Sequence, residues 1–242
     1  MRIQFYGTKG FVEESSRAHQ GHSAFVLEAD GFRLLCDFGE NRLGMLPRLR
    51  PDAVFVSHAH PDHARGLAEG TDRPVYASAV THEITADLPL SDRRTLTPGR
   101  PVPVGPFRLT GFPVVHSVRC PCMAARIETG KLALVYSGDI IAFPDPGKAL
   151  AGASVYVGDG STLTGSLVRR HASGELIGHT TVRAQLGWLA RAGVSRAIFS
   201  HFGRGPILMG ERALKKSLDA LAAQKAPGCD VTAARDGLSI EM

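Results

Sequence analysis

The chain has 242 residues, of which 43% are hydrophobic, and it carries a formal net charge of +5. The length allows a large buried core, and the apolar fraction is that of an ordinary globular protein. No apolar run approaches the roughly 18 residues of a membrane span, the start of the chain lacks the layout of a signal peptide, and four cysteines are too few for a disulfide framework. We therefore expect a cytoplasmic protein.

Hydrophobic patterning predicts strands in the first half of the chain at residues 2–7, 23–29, 33–37, 53–57 and 75–77. Asp30-Gly31 is a typical hairpin turn between the second and third of these strands. A polar loop, 8–22, separates the first two. Helical segments are predicted at 43–49, 64–69 and 79–86, and a turn region rich in proline and glycine at 97–106.

The second half is predicted to contain strands at 107–115, 122–128, 131–136, 154–158, 196–200, 229–234 and 237–241. Helices are predicted at 180–192 and 210–224, the first of them ending at Gly193. No linker, repeat or low-complexity tract interrupts the chain, which predicts one domain over residues 1–242. Hairpins with interspersed helices indicate two sheets with helices packed outside them.

The stretch 58–63, HAHPDH, places three imidazoles and a carboxylate on one loop after a buried strand. Imidazole nitrogen and carboxylate oxygen suit zinc, manganese and iron, and the short spacing lets one loop serve two ions. A solvated histidine-rich turn is the alternative. It does not explain why three titratable side chains crowd together, where their mutual repulsion is unfavourable at mildly acidic pH. The stretch therefore predicts a metal site.

Four more polar side chains follow apolar strands in the same way, namely Asp37, His116, Asp139 and His201. If these strands run through a common core, their ends meet at one edge of the molecule, where functional sites of layered α/β proteins lie. Each histidine alone would more often be structural. Their repetition favours one shared site.

This order of residues resembles the pattern of the metallo-β-lactamase superfamily over nearly the whole chain. The resemblance implies an α/β fold, the four-layer αβ/βα sandwich, with two metal ions in the cleft between the sheets. It also implies a division of the ligands: one metal held by His58, His60 and His116, the other by Asp62, His63 and His201, with Asp139 bridging and Asp37 orienting the ligands.

Three features bear on the branch of the superfamily. β-Lactamases of this fold usually have a cysteine where this chain has Asp139, and the segment after His201 is too short for the substrate domain of glyoxalase-II-like thioesterases. Residues 178–181, GHTT, followed by His201 and Arg204, resemble a motif of tRNase Z and its phosphodiesterase relatives. The short segment between His116 and Asp139 leaves no room for a tRNA-gripping arm, so the chain resembles the small phosphodiesterase branch, which includes a cyclic phosphodiesterase, more than the tRNA-processing enzymes.

The resemblance therefore implies a di-metal-dependent hydrolase that acts on a small-molecule or nucleotide phosphodiester, with nucleic acid as a larger alternative. Asp62 would accept a proton, His179 would donate one to the leaving oxygen, and Arg204 and His22 would bind substrate. The alternative for the 178–181 motif is that Thr180 caps the helix and His179 is its solvent-facing neighbour.

Two divalent transition-metal ions are the expected cofactors, zinc first, with manganese or iron as alternatives. The competing function is hydrolysis of a carboxylic ester, lactone or thioester at the same binuclear site. No membrane partner is expected, and homodimers are frequent in this branch.

Overall fold

Two seven-stranded sheets form the middle of the molecule, which the computed structural model describes over residues 1–242. The strands of the first sheet are β1 (Arg2–Gly7), β2 (Ala24–Ala29), β3 (Phe32–Cys36), β4 (Ala53–Phe55), β5 (Val75–Ala77), β6 (Arg93–Thr95) and β16 (Ser239–Glu241). Those of the second are β7 (Pro101–Val104), β8 (Phe107–Val114), β9 (Cys122–Thr129), β10 (Leu132–Tyr136), β11 (Val155–Asp159), β14 (Arg196–Ser200) and β15 (Asp230–Ala233). A separate hairpin pairs β12 (Arg169–Arg170) with β13 (Leu176–Ile177).

Each sheet is antiparallel on one side and parallel on the other. The first has the order β16-β1-β2-β3-β4-β5-β6, with β3 to β6 parallel. The second has the order β15-β14-β11-β10-β9-β8-β7, with β10, β11, β14 and β15 parallel. The carboxyl ends of parallel strands share an edge, so the loops after them are brought together.

Seven α-helices flank the sheets: α1 (Leu46–Leu49), α2 (Pro61–Ala64), α3 (Ala79–Ile84), α4 (Pro146–Leu150), α5 (Val182–Ala192), α6 (Arg204–Met209) and α7 (Glu211–Lys225). Short 3₁₀ turns lie at Glu40–Arg42 and Arg65–Glu69. The Thr181 side chain caps α5 by accepting from the Ala184 amide at 3.0 Å, so the cap is Thr181 and not Thr180. None of these helices has the length and apolar character needed to cross a membrane.

Apolar side chains fill three spaces, one between the sheets and one on the outer face of each. Successive side chains of strand β14 point to opposite faces of its sheet and so contribute to two of these spaces. Ile198 faces the other sheet, while Ala197 and Phe199 face α5 and α7. Helix α5 buries Leu186 and Leu189 in the same outer space. The layers therefore run helix, sheet, sheet, helix, which confirms the predicted αβ/βα sandwich.

Several boundaries differ from the prediction. The region 97–106, predicted as a turn, contains strand β7, and β6, α4 and α6 were not predicted. Strand β7 lies at the edge of its sheet, where Pro101 and Pro103 are tolerated because an edge strand leaves some amides unpaired. The helix predicted at 64–69 begins earlier, at Pro61, and continues as a 3₁₀ turn.

Candidate metal centre

The histidine-rich loop turns sharply between β4 and α2. His60 has extended backbone angles and immediately precedes α2, whose first residue is Pro61. Proline suits this position because its fixed φ matches the helix and its missing amide proton would have no partner there. His58 and His60 therefore lie on the loop, while Asp62 and His63 lie on the first helical turn. One short segment supplies side chains to two neighbouring clusters.

The first cluster consists of His58, His60, His116 and Asp139. His60 Nδ1 lies 2.9 Å from His58 Nε2 and 3.3 Å from His116 Nε2. Asp139 Oδ2 lies 3.6 Å from the nitrogen of His58 and 3.5 Å from that of His116. Ligand atoms that share one tetrahedral zinc at about 2.0–2.1 Å are separated by roughly 3.3 Å, so these spacings match a metal site.

The second cluster consists of Asp62, His63 and His201. Asp62 Oδ2 lies 3.6 Å from His63 Nε2 and 3.9 Å from His201 Nε2. The other oxygen of Asp139, Oδ1, lies 3.1 Å from His63 Nε2 and 3.3 Å from His201 Nε2. The two oxygens of Asp139 thus face different clusters.

Two buried atoms of this site, His63 Nε2 and Asp139 Oδ1, lie 3.1 Å apart but form no hydrogen bond of acceptable geometry with each other or with any other group. Leaving a buried polar atom unpaired costs about 1–3 kcal/mol, so native proteins rarely do it without a reason. Both atoms point into the space between the ligands, and a cation there would satisfy both. The donor set and these unpaired atoms fit divalent transition metals.

The ring nitrogens that face away from the clusters meet an oxygen in four of the five histidines. The pairs are His58 with Ser57 Oγ at 3.0 Å, His63 with Asp37 Oδ2 at 2.7 Å, His116 with the Gly178 carbonyl at 2.9 Å and His201 with Ser23 Oγ at 3.0 Å. Such contacts hold the ring and its tautomer so that the other nitrogen is free to bind a metal.

Asp37 is the centre of a buried network under the metal centre. Its carboxylate accepts from the Ser57 amide and hydroxyl, both at 2.7 Å, and from the Tyr136 hydroxyl at 2.6 Å. Tyr136 belongs to the second sheet, so the network joins the two sheets beneath His63. Asp37 and His201 also have positive φ angles of 55° and 57°, a costly conformation for non-glycine residues that the surrounding contacts maintain.

Burial sets the protonation of the first cluster. It lowers the pKa of His58 well below its usual value, lowers that of His60 to about 4, and lowers that of His116. These imidazoles are therefore neutral near pH 7, the form that binds a metal. Burial also acts to lower the pKa of His63, but the carboxylates around it, Asp139 first, raise it well above the usual value.

His179 lies beside both clusters and is paired with a carboxylate that the sequence analysis missed. Its Nδ1 lies 2.7 Å from Oδ2 of Asp159 and 3.2 Å from the Ser161 hydroxyl. Burial acts to lower the pKa of His179, but Asp159 outweighs it and raises the pKa to about 9. Asp159 follows the apolar stretch of β11 just as Asp37 and Asp139 follow theirs, so the same reasoning could have found it.

The two predicted substrate-binding residues have different positions. Arg204 lies at the start of α6 and is 73% exposed, and its Nε contacts Glu14 Oε1 at 2.8 Å. It lines a cavity of about 700 Å³ together with Asp62, Asp139, His179 and others. His22 does not line this cavity: its side chain is buried, with its ring 5.9 Å from that of Phe11. Binding of substrate by His22 stays a prediction.

A family model described as the beta-lactamase superfamily domain matches residues 33–202. The chain belongs to the beta-lactamase superfamily. Ribonuclease Z of Methanopyrus kandleri is 31% identical over 147 residues, which cover 54% of this chain and 51% of that protein. Probable metallo-hydrolase YhfI of Bacillus subtilis is 28% identical over 144 residues, covering 50% of this chain and 58% of that protein. The chain spans about half the length of these curated relatives.

Solved structures of this superfamily confirm the fold. The metallo-beta-lactamase fold protein YhfI of Bacillus subtilis superposes with a TM-score of 0.77 at 20% identity, covering 100% of this chain and 99% of that one. The short form of human tRNase Z gives a TM-score of 0.66 at 18% identity, covering 100% and 99%. The predicted superfamily is confirmed, and relatives named as a ribonuclease and a metallo-hydrolase support the predicted enzyme class, metal-dependent hydrolase.

Proposed function

We propose that this beta-lactamase superfamily protein is a phosphodiesterase that uses two divalent transition-metal ions, zinc first, to hydrolyse a small or nucleotide-type phosphodiester. The observation that carries the proposal is the contact of His179 with the buried carboxylate of Asp159 at 2.7 Å, because His179 lines the same cavity as Asp62 and Asp139. An imidazole held by a carboxylate is suited to give a proton to a departing oxygen.

The proposed ligands follow from the two clusters. His58, His60 and His116 would hold one ion and Asp62, His63 and His201 the other, and Asp139, whose two oxygens face different clusters, would serve both. Two bound ions would activate water at neutral pH and neutralise charge that develops on the phosphate.

The residues of the chain supply the proton transfers. Asp62 accepts a proton from the attacking water. His179 uses Nδ1 to contact Asp159, which leaves Nε2 to donate a proton to the leaving oxygen. Asp159 favours the protonated imidazole, and its own carboxylate is fixed by the Ser161 amide at 2.9 Å and the Ile140 amide at 3.2 Å.

The charge of the cavity supports a diester over a monoester. Its one arginine, Arg204, is already paired with Glu14. A monoester dianion needs more positive contacts than a singly charged diester, and this cavity offers few beyond the metals. Relatives named Ribonuclease Z, which act on a nucleic acid by name, support the same bond type.

The test compares substrates on protein that carries its full metal content. We expect turnover of bis(4-nitrophenyl) phosphate to exceed that of 4-nitrophenyl phosphate, and lactones and thioesters to be poor substrates. Good turnover of lactones or thioesters, with none of any phosphodiester, would contradict the proposal and favour the carboxylic ester class.

A further inference from the structure

An exposed aromatic side chain lies at the wall of the active-site cavity. Phe11 is 65% exposed, which is the largest exposed fraction among the large hydrophobic residues of this chain. Exposing a phenyl ring to water is unfavourable, by about 25 cal/mol for each Å² of apolar surface. Phe11 nevertheless lines the cavity that contains Asp62, Asp139 and His179.

The turn that carries Phe11 is held firmly. The Val12 amide donates to the Gly10 carbonyl at 2.8 Å, which closes a γ-turn around Phe11. The Lys9 ammonium donates to the Val12 carbonyl at 2.9 Å, although Lys9 is only 8% exposed and has no carboxylate partner. The Gly10 amide donates to the Phe202 carbonyl at 3.0 Å. A buried lysine is costly, and here it fixes the turn that presents the ring.

The same turn runs directly against a proposed metal ligand. A Cβ atom added at Gly10 would lie 2.8 Å from Nε2 of His201, so a side chain there would force the His201 ring to shift. Phe11 is the next residue. The same cavity is also lined by Leu167, which is 47% exposed and whose amide donates to the His179 carbonyl at 3.2 Å. Apolar side chains therefore stand beside both His201 and the proposed proton donor.

The cavity's volume and charge indicate what these side chains hold. About 700 Å³ is the size of pocket that takes a drug-sized molecule. Val12 and Pro206 add apolar surface, whereas Arg204 is occupied by Glu14. Arg169 lines a neighbouring cavity of about 560 Å³, which shares His60, Leu167 and His179 with the first but does not include Phe11. The Phe11 side of the centre suits an uncharged, flat group.

We propose that Phe11 and Leu167 hold an aromatic ester arm of the phosphodiester, the arm that leaves. The inference rests on the proposed phosphodiesterase function and names its substrate class, diesters of an aryl or nucleobase-bearing alcohol. In hydrolysis a water oxygen bonds to phosphorus and gives its proton to Asp62. The phosphorus–oxygen bond to the arm breaks, and the departing oxygen takes a proton from His179.

The test measures binding, separately from turnover. Methyl phenylphosphonate and methyl methylphosphonate carry the same single negative charge. They differ only in the group that is bonded to phosphorus through carbon, phenyl or methyl, and this bond is not hydrolysed. Calorimetry with zinc-loaded protein should show that methyl phenylphosphonate binds roughly tenfold more tightly than methyl methylphosphonate, because an aromatic pair contributes a free energy of about that size. Phe11→Ala and Leu167→Ala should each reduce this preference to about twofold or less, and Phe11→Tyr should retain it.

Leu208→Ala is the matched control, because Leu208 is 63% exposed but does not line the cavity. It should leave the preference unchanged. Three results would overturn the inference. The wild-type protein could bind the two compounds equally, the preference could survive in both Phe11→Ala and Leu167→Ala, or it could be lost only in Arg169→Ala. Retention of the Phe11-dependent preference by protein that hydrolyses no phosphodiester would contradict the proposed reaction alone.

Discussion

The carboxylate of Asp159, at the end of β11, lies 2.7 Å from Nδ1 of His179, in the loop that precedes α5. Asp159 is fully buried, and its carboxylate also accepts from two backbone amides, so it cannot follow the imidazole if that ring moves. The pair fixes the orientation of His179 relative to the metal clusters. It gives the proposed proton donor a position and a charge partner.

Asp159→Asn should therefore lower activity without lowering metal content. The amide preserves the shape but removes the charge that favours protonated His179. We expect a loss of about 10²-fold on a diester with an alkoxide leaving group, the lower end of the range for acid–base groups. Metal analysis of the same preparation is the control. A variant with unchanged kcat would show that the pair is structural only.

The pair should also make stability depend on pH in metal-free protein. The pKa of His179 is raised to about 9 in the folded protein. A group with a raised pKa stabilises the folded state fully at pH values below its pKa in the unfolded chain, and this stabilisation is lost as the pH rises through its pKa in the folded protein. Wild-type protein should thus exceed His179→Gln in melting temperature at about pH 6, with the difference shrinking by about pH 10. The other titrating groups are common to both proteins. A difference that stays constant over this range would contradict the assigned shift.

Metal stoichiometry should distinguish the two clusters. Wild-type protein is expected to hold two ions, and His116→Ala, which affects the first cluster only, should keep about one. Asp139→Ala should lose more, because Asp139 offers Oδ1 to one cluster and Oδ2 to the other. Elemental analysis after dialysis measures all three. Equal losses in the two variants would argue against a shared carboxylate.

Asp37→Asn tests the network under the centre. His63 Nδ1 would lose its carboxylate partner at 2.7 Å, and the ring would be held less firmly. Loss of such a supporting contact typically lowers metal affinity by about 10–100-fold. Tyr136→Phe is the milder companion, since it removes one hydroxyl from the same carboxylate. Competition with a chelator gives the affinities; unchanged values in both variants would remove Asp37 from the proposed role.

The sequence was sufficient to predict the layered fold and the residues that the structure gathers at the candidate metal centre, because their signals are local. HAHPDH is contiguous, and Asp37, His116, Asp139 and His201 each follow an apolar strand. Asp159 follows the same rule and could have been found by it, but its contact with His179, 20 positions along the chain, could not.

Contacts between distant loops were beyond prediction. Whether His22 or Phe11 reaches the cavity depends on how loop 8–22 lies against β14 and α6, and no periodicity encodes that. Arg204 was predicted to bind substrate, and its contact with Glu14 from this loop was not foreseen. Strand β7 was predicted as a turn because proline usually interrupts a strand. Its prolines are tolerated because β7 lies at the edge of its sheet.

The most direct test of the account is the leaving-group dependence of His179→Ala. His179 is outside the two proposed ligand sets, so the variant should retain its metals. Its rate should fall by about 10²–10⁴-fold on a diester whose leaving group is a sugar alkoxide, which needs a proton, and far less on bis(4-nitrophenyl) phosphate, whose nitrophenolate does not. A folded, metal-loaded variant that keeps full activity on the alkoxide diester, or that loses equally on both, would contradict the assignment of His179 as the proton donor.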